Sequence, residues 1–332
     1  MRNRTIATLG SITLLSAAML STQAQASCEL ERPVRLAGMS WLSNQVTVAI
    51  QRQILEQGYG CQSEEVVGGT LPMIMATIRG DVDVMNEIWP NSVAEAWTKA
   101  EKDGKVEALD SIYSGGVEGW YVPSYLVKKD PSLSDAANLA QHTELFADPE
   151  EPGKGRLYNC PTGWSCEVTN ANLLKAFKLD GQYNAFSTGS GAALEAAVVS
   201  AYKRQQPILF YYWGPSPLLG RYDFTRLTMP AHDPAGHSCN LRSDCEAPVA
   251  SDFPVTDIIN GANSDFVKQA PELSQFFRKF NIPTDQFNQV LGWAAEQDAE
   301  PTDVAEHFMK TRRDLWQQWV PAKVAERLDS AL

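Results

Sequence analysis

The sequence predicts an α/β protein of two lobes, each with a parallel-type sheet and flanking helices, and three observations support this. Apolar strand-like runs alternate with helix-like segments in the first third of the chain, as in a parallel sheet with crossover helices. A second alternating set follows the Pro- and Gly-rich loop at 148–155. The chain has 332 residues, which is long for one hydrophobic core and comfortable for two.

The first alternating set contains three predicted strands and three predicted helices. Apolar runs predict strands at 34–39, 64–67 and 82–85. Amphipathic spacing predicts helices at 44–56, 71–78 and 92–103. Gly58 and the pair Asp103-Gly104 are stop signals for the first and third of these helices. Two more strand-like runs follow at 119–122 and 125–127.

The second set repeats the alternation and then leads back to the first. Strands are predicted at 156–158, 183–186 and 207–213, with helices at 166–177 and 191–204. The block 230–248 is rich in turn-forming residues. We expect a strand at 253–259 to return to the first set. Three helices are predicted to close the chain, near 265–280, 284–296 and 302–320.

These elements predict that the chain passes between the lobes twice, near Gly119 and near Ser251. The first lobe then comprises 27–118 and 251–332, the second comprises 119–250, and a two-strand hinge joins them. This is the architecture of a two-lobed periplasmic binding protein of the type II-like class. Its ligand lies in the cleft, where the carboxyl ends of both sheets meet.

The amino terminus has the features of a secretory signal peptide at 1–26. Arg2 and Arg4 precede an apolar stretch at 6–20, and Ala24-Gln25-Ala26 is a small-x-small cleavage site. The apolar stretch is too short to span a membrane. Cys28 raises a lipoprotein alternative, but Gln25 replaces the aliphatic residue that a lipidation site needs. We therefore expect soluble export to the periplasm.

Charge and composition restrict the class of partner. Cleavage removes two of the 28 basic residues and none of the 40 acidic ones, which leaves a net charge of −14. Such acidity argues against nucleic acid or an anionic membrane as partner, and it suits a cationic or zwitterionic ligand. The glycines at 189–191 lack the full dinucleotide fingerprint, so no cofactor is expected.

Six cysteines remain after cleavage, an even number for an oxidising compartment. Fifteen pairings are possible on paper. Local spacing favours Cys160–Cys166 and Cys239–Cys245, which leaves Cys28–Cys61. A zinc site near His232 and His237 is the alternative for the second pair, but the spacing fits no standard ligand pattern. We expect three disulfides and no metal.

Tryptophans lie at three junctions where a strand or turn leads into a loop or helix. They are Trp89, Trp164 and Trp213, and each alone is more typical of packing than of binding. Three at matching junctions favour a shared ligand site. Converging indole faces suit a quaternary ammonium, which has no hydrogen to donate. Trp41 also follows a strand and is a candidate fourth wall.

The segments 80–90, 160–167 and 210–215 resemble the substrate-binding proteins of ABC transporters for glycine betaine, proline betaine and choline-like osmolytes. The resemblance covers most of the mature chain. It implies that Trp89, Trp164 and Trp213 form a box around a trimethylammonium group. It also implies a Cys160–Cys166 disulfide, and a ligand carboxylate held by the backbone amides of Ser165 and Cys166. The start of a predicted helix there independently favours an anion.

The same resemblance implies a monomer that delivers its ligand to an inner-membrane ABC permease with its ATPase. Members of this family often place a histidine after the first or third tryptophan, and this chain does not. Asn91 and Ser92 are possible substitute donors. Alternatively the ligand is choline or trimethylamine N-oxide, with Glu87 or Glu118 supplying negative charge or an acceptor.

Two other classes of protein are alternatives to a transport protein. A periplasmic choline-ester hydrolase needs a nucleophile and a base near the cage. Ser190 has Thr188 where a nucleophile elbow has glycine, so we expect no enzyme. A sensor domain or a scavenger without its own permease is the third class, and gene neighbourhood separates it from transport.

Overall fold

The computed structural model describes residues 28–214 and 216–332, without the side chains of Asn91, Ser92 and Ala94. The predicted signal peptide at 1–26 lies outside the described residues. The strands are β1 (Val34–Gly38), β2 (Ser63–Val67), β3 (Val84–Ile88), β4 (Val106–Pro123), β5 (Gly155–Asn159), β6 (Tyr183–Ser187), β7 (Leu209–Gly214), β8 (Phe224–Arg226) and β9 (Thr256–Asn263).

The helices lie between and after these strands. They are α1 (Leu42–Gln53), α2 (Thr70–Arg79), α3 (Pro90–Lys102), α4 (Ser124–Lys129), α5 (Ser165–Ala176), α6 (Gly191–Lys203), α7 (Pro217–Arg221), α8 (Pro234–Asn240), α9 (Ser264–Gln269), α10 (Pro271–Lys279), α11 (Thr284–Gln297), α12 (Pro301–Thr311), α13 (Arg313–Trp316) and α14 (Ala322–Ala331). Among the described residues, no helix combines the length and apolar character needed to cross a bilayer.

Local chemistry fixes many helix starts. Prolines occupy the first turn of α3, α7, α8, α10 and α12, where a missing N–H costs nothing. The side chains of Ser190 and Asp233 cap α6 and α8 by accepting backbone N–H groups. Gly80, with φ of 80°, ends α2 in the left-handed region. These helices therefore begin or end at defined residues.

The strands form two mixed sheets that share the long strand β4. Their order is β2-β1-β3-β9-β4-β7-β5-β6, and β8 also pairs with β4. The strands β1, β2 and β3 pair in parallel at one end, as do β5, β6 and β7 at the other. Because β4 and β9 are antiparallel to their neighbours, neither sheet is purely parallel. The predicted two-lobed α/β fold is confirmed.

The strand β4 passes from one sheet to the other. Up to Gly116 its residues pair with β9, and from Val117 onward they pair with β7. The chain returns through 251–255 and enters β9 at Thr256. These two adjacent connections link the two sheets.

Some predicted elements are wrong, for identifiable reasons. The run 125–127 belongs to helix α4 and not to a strand. The prediction failed because a run of three residues is too short to show whether its periodicity is that of a helix or of a strand. The predicted helix at 265–280 is divided by Pro271, which begins α10. The predicted helix at 302–320 is divided at Arg312, which is not helical, and α14 was missed.

The structure pairs the cysteines as Cys28–Cys61, Cys160–Cys166 and Cys239–Cys245, with Cα–Cα distances of 4.8, 6.2 and 5.3 Å. These are distances that a disulfide spans. Cys28–Cys61 ties the first described residue to the segment that precedes β2. Cys160–Cys166 closes the loop between β5 and α5, where Trp164 lies.

We expect no free thiol in the mature protein, because all six cysteines are paired. Thiol titration under denaturing, non-reducing conditions should give no reaction, and reduction should release six thiols. Two or more reactive thiols before reduction would overturn the pairing.

Candidate functional site

A small cavity lies between the lobes, next to the point where β4 changes partner. Its volume is about 30 Å³. The residues that line it are Trp41, Thr70, Trp89, Glu118, Trp164, Ser165, Cys166, Tyr211 and Trp213. Seven of the eight predicted ligand-binding residues are therefore brought together, and Glu87 is the exception.

Three of the indoles make an aromatic corner. The ring centroids of Trp41 and Trp164 are 4.5 Å apart, those of Trp164 and Trp213 are 5.2 Å apart, and those of Trp41 and Trp213 are 6.4 Å apart. Each pair is inclined by 72–73°, so three nearly perpendicular planes meet. Because the rings already contact one another, a trimethylammonium group can enter only if they separate.

The walls of the cavity come from both lobes. Trp41 lies between β1 and α1, and Trp89 lies between β3 and α3, both in the first lobe. Trp164 precedes α5 and Trp213 lies near the end of β7, both in the second lobe. Trp89 packs over Gly116, where an added Cβ would lie 2.9 Å from the Trp89 ring. A bound ligand would contact both lobes at once.

The amino terminus of α5 supplies hydrogen-bond donors to the cavity. Ser165 and Cys166 are its first two residues, and the first N–H groups of a helix have no partner within the helix. The Glu167 carboxylate accepts from the Gly163 backbone N–H at 2.9 Å and from the Thr162 hydroxyl at 3.2 Å, which braces the preceding turn. The geometry suits an anionic group at Ser165 and Cys166.

A carboxylate also reaches the cavity from β4. Glu118 pairs with Trp213 across the sheet, and it is only 4 % exposed. The Tyr211 hydroxyl donates to its Oε1 at 2.5 Å. The Arg226 guanidinium donates to the backbone carbonyl of Glu118. The cavity is therefore lined by an acidic group as well as by the amino terminus of α5.

Glu87 lies behind Trp41 instead of on the cavity. It is 1 % exposed, and its carboxylate accepts from the Trp41 Nε1–H, the Ser43 hydroxyl and the Tyr113 hydroxyl. Burial raises the pKa of Glu87 to about 7, although the three hydrogen bonds oppose this shift. Its place in the structure is that of a support for Trp41.

Backbone contacts between the lobes explain two glycines at the rim. An added Cβ at Gly69 would lie 2.8 Å from the Gly163 carbonyl oxygen, and one at Gly191 would lie 2.8 Å from the Ser40 carbonyl oxygen. The Leu71 N–H also donates to the Gly163 carbonyl at 3.3 Å. Glycine at these positions allows the lobes to approach closely beside Trp41 and Trp164.

Two larger cavities lack Trp89 and Trp164. A groove of about 760 Å³ between α3 and α8 is lined mostly by small residues and by charged ones such as Lys99 and Arg242. A cavity of about 230 Å³ borders Trp41 and Trp213 from another side and includes Glu195. Among the described residues, no cluster of His, Cys, Asp and Glu is placed to hold a metal ion.

Sequence reasoning missed two residues of the cavity. Tyr211 lies in the 210–215 segment, and its alternation with Trp213 along β7 was the available signal. Thr70 begins α2 after two glycines, and nothing in its local sequence marks it. The side chains of Asn91 and Ser92, the predicted substitute donors, lie outside the part that the structure describes.

Comparisons with known proteins agree on one family. The family model for the substrate-binding domain of ABC-type glycine betaine transport systems matches residues 32–311. The glycine betaine-binding periplasmic protein OusX of Dickeya dadantii is 24% identical over 322 residues, covering 90% of this chain and 92% of that protein.

Two solved structures share the fold. The glycine betaine, L-proline-binding protein ProX of Borrelia burgdorferi has a TM-score of 0.73 at 18% identity, covering 90% of this chain and 100% of that chain. An ABC-transporter choline-binding protein in complex with choline has a TM-score of 0.73 at 16% identity, and the match covers 90% of this chain and 97% of that chain. With a family model that spans most of its length, the chain belongs to the substrate-binding domains of ABC-type glycine betaine transport systems.

Proposed function

We propose that this protein binds a small quaternary-ammonium osmolyte, with glycine betaine as the leading candidate, and delivers it to an ABC permease. The observation that carries the proposal is the cavity between the lobes, where Trp41, Trp89, Trp164 and Trp213 converge. Indole faces bind a desolvated methylated cation by about 2 kcal/mol or more each. No chemistry on the ligand is proposed.

The mechanism is closure of the two lobes over the ligand. Two indoles belong to each lobe, so a cation between them makes more contacts when the lobes are together. A ligand favours the closed state by this difference in contacts. The permease would then recognise the closed form, in which both lobes present one continuous surface.

The polar ends of the cavity bear on the choice of ligand. A betaine carboxylate would accept from the backbone amides of Ser165 and Cys166, and those amides would stay poorly paired against choline. Glu118 would instead suit choline, since its carboxylate adds negative charge and can accept a hydrogen bond from the choline hydroxyl. The family and the helix terminus together favour the betaine.

Calorimetry with glycine betaine, choline, carnitine and trimethylamine N-oxide tests the choice. We expect glycine betaine to bind more tightly than choline. Glu118→Gln should weaken choline more than any zwitterion, because the loss of one negative charge is felt most by a net cation. Glu195→Gln, a carboxylate of the neighbouring cavity, is the matched control and should leave both affinities unchanged.

A tenfold or greater preference for choline or trimethylamine N-oxide would contradict the betaine assignment. Either preference would leave the aromatic cage in place, and a preference for choline would make Glu118 the main polar contact. Binding of none of the four ligands would contradict the proposed function as a whole.

We further propose that the protein is exported to the periplasm by a cleaved signal peptide at 1–26 and acts as a monomer. The basic and apolar amino terminus and the paired cysteines support export. The mass of the secreted protein should correspond to cleavage near Ala26. Loss of osmolyte uptake on deletion of an adjacent permease would distinguish transport from a sensor or a scavenger.

A further inference from the structure

Glu87 is a buried carboxylate next to a candidate cation site, and no cation from the part of the chain that the structure describes neutralises it. Among the described residues, the groups that act on its side chain are Trp41, Ser43 and Tyr113, and none carries positive charge. A buried carboxylate without a positive partner is rare in proteins, because burial strongly disfavours the charged form. Its position therefore calls for a physical explanation.

The backbone at Glu87 is itself unusual. Its φ is 55°, in the left-handed region that non-glycine residues seldom adopt. The register of β3 against β9 shifts between Met85 and Ile88, so Glu87 lies in a β-bulge. Such a bulge re-aims one side chain, and here it points the carboxylate at the Trp41 indole. A strained conformation of this kind persists only where its surroundings enforce it.

The hydrogen bonds of Glu87 fix one wall of the cavity. The Trp41 Nε1–H and the Ser43 hydroxyl donate to one carboxylate oxygen, and the Tyr113 hydroxyl donates to the other at 2.6 Å. Trp41 in turn contacts Trp164 and Trp213 of the opposite lobe. The carboxylate is thus one side chain away from the space where a cation would be held.

We propose that Glu87 is a positioning residue that couples ligand capture to proton release, because a cation held against Trp41 favours its ionised form. The inference rests on the proposed function, since it needs a cationic group in the cavity. The proton leaves Glu87 for the solvent. The negative charge of the carboxylate that remains is then attracted by the positive charge of the bound ligand. No bond to the ligand forms or breaks.

The protonation equilibrium supports this coupling at physiological pH. Burial raises the pKa of Glu87 to about 7. Within the described ranges the one titratable group that acts on it is Tyr113, whose own pKa burial raises well above its usual value. Both forms of Glu87 are therefore populated near neutrality in the free protein. By linkage, a ligand that prefers the ionised form lowers the pKa, and its affinity rises with pH through the free-protein value.

The size of the effect follows from the size of the pKa change. Each unit by which the bound cation lowers the pKa of Glu87 gives a tenfold rise in affinity between low and high pH. We expect up to about tenfold, since the charges are separated by the Trp41 ring and attract each other through a partly screened medium. The affinity should become independent of pH at values well below the pKa of Glu87 in the complex and well above its pKa in the free protein.

The decisive variant is Glu87→Gln, which keeps the shape and accepts the Trp41 N–H but cannot ionise. Calorimetry with glycine betaine and with choline from pH 5.5 to 8.5 should show rising affinity for the wild type and little slope for the variant. At neutral pH, binding to the wild type should release a fraction of a proton, measured in buffers of different ionisation enthalpy. The variant should release none.

Tyr113→Phe gives a second, independent readout. It removes a hydrogen bond that favours the ionised form, so the midpoint of the pH profile should move to higher pH. A merely structural role of Glu87 would not move a midpoint. Glu195→Gln is the matched control, because this partly buried carboxylate lies in the neighbouring cavity, and its profile should follow the wild type.

The possible outcomes separate the inference from the function on which it rests. A wild type that binds without pH dependence, or a Glu87→Gln variant that keeps the slope, would overturn the coupling while leaving the binding function intact. A wild type that binds neither ligand at any pH would overturn the proposed function and the coupling together.

Discussion

Replacing either Trp164 or Trp213 by alanine should weaken binding of glycine betaine by about 30-fold or more. A desolvated cation–π contact contributes about 2 kcal/mol, and each 1.4 kcal/mol is a tenfold change in affinity. Trp164 and Trp213 are 6 % and 7 % exposed, so a cation between them would be well removed from water. Trp41→Ala and Trp89→Ala should have effects of the same order, because both rings line the same cavity.

Isothermal calorimetry on the purified variants measures this loss, with unfolding temperature as the check on folding. Trp213→Phe keeps a smaller aromatic face and should bind between the wild type and the alanine variant. Trp293→Ala is the matched control, because Trp293 stacks on His307 of α12, with ring centroids 3.8 Å apart, and is not among the residues of the cavity. Wild-type affinity in any two of the alanine variants of Trp89, Trp164 and Trp213 would rule out the aromatic cage.

The features that the sequence made predictable are those determined by local pattern. Alternating strand-like and helix-like runs placed the strands β1, β5 and β6 within one or two residues of their observed limits, because turn-forming residues border each run. The three tryptophans at strand or turn junctions were also placed correctly at the cleft. In a protein of two α/β lobes, the carboxyl ends of the parallel strands of both lobes face the cleft, so side chains that follow these strands lie there.

The features that were missed depend on pairing between distant segments. The strand β4 runs from Val106 to Pro123 through Ser114-Gly115-Gly116, which reads as a turn and is extended only because β9 and β7 pair with it in succession. Glu87 was predicted near the cleft, but its side chain direction is set by a bulge that arises from pairing with β9. No local periodicity reports such a shift of register.

The last prediction concerns Asp83, the residue just before β3. This strand carries Glu87 and leads to Trp89. The side chain of Asp83 is 2% exposed and accepts from Arg32 at 2.6 and 2.9 Å. Arg35 donates to it through the guanidinium at 2.9 Å and through the backbone N–H at 2.9 Å. Burial alone would raise the pKa of Asp83, but these hydrogen bonds outweigh it and hold the pKa below its usual range.

Asp83→Asn should therefore destabilise the folded protein by about 3 kcal/mol at pH 7, the lower end of the cost of breaking a buried ion pair. The lower end applies because Arg32 and Arg35 keep 40% and 24% of their side-chain surface in water. Urea unfolding followed by circular dichroism measures the difference. Asp81→Asn is the matched control, since its pair with Arg79 is 59% exposed and should contribute under about 1 kcal/mol.

The pH dependence gives this prediction its sharpest test. Because the folded-state pKa of Asp83 lies below the unfolded value, the stability it contributes is present above the unfolded pKa and is lost as the pH falls through the folded one. The gap between wild type and Asp83→Asn should then narrow as the pH is lowered from 7 to 3. A stability difference that stays constant over this range would show that Asp83 stabilises the strand by shape and not by charge. Equal free energies of unfolding for the Asp81→Asn and Asp83→Asn variants at pH 7 would contradict the ion-pair argument outright.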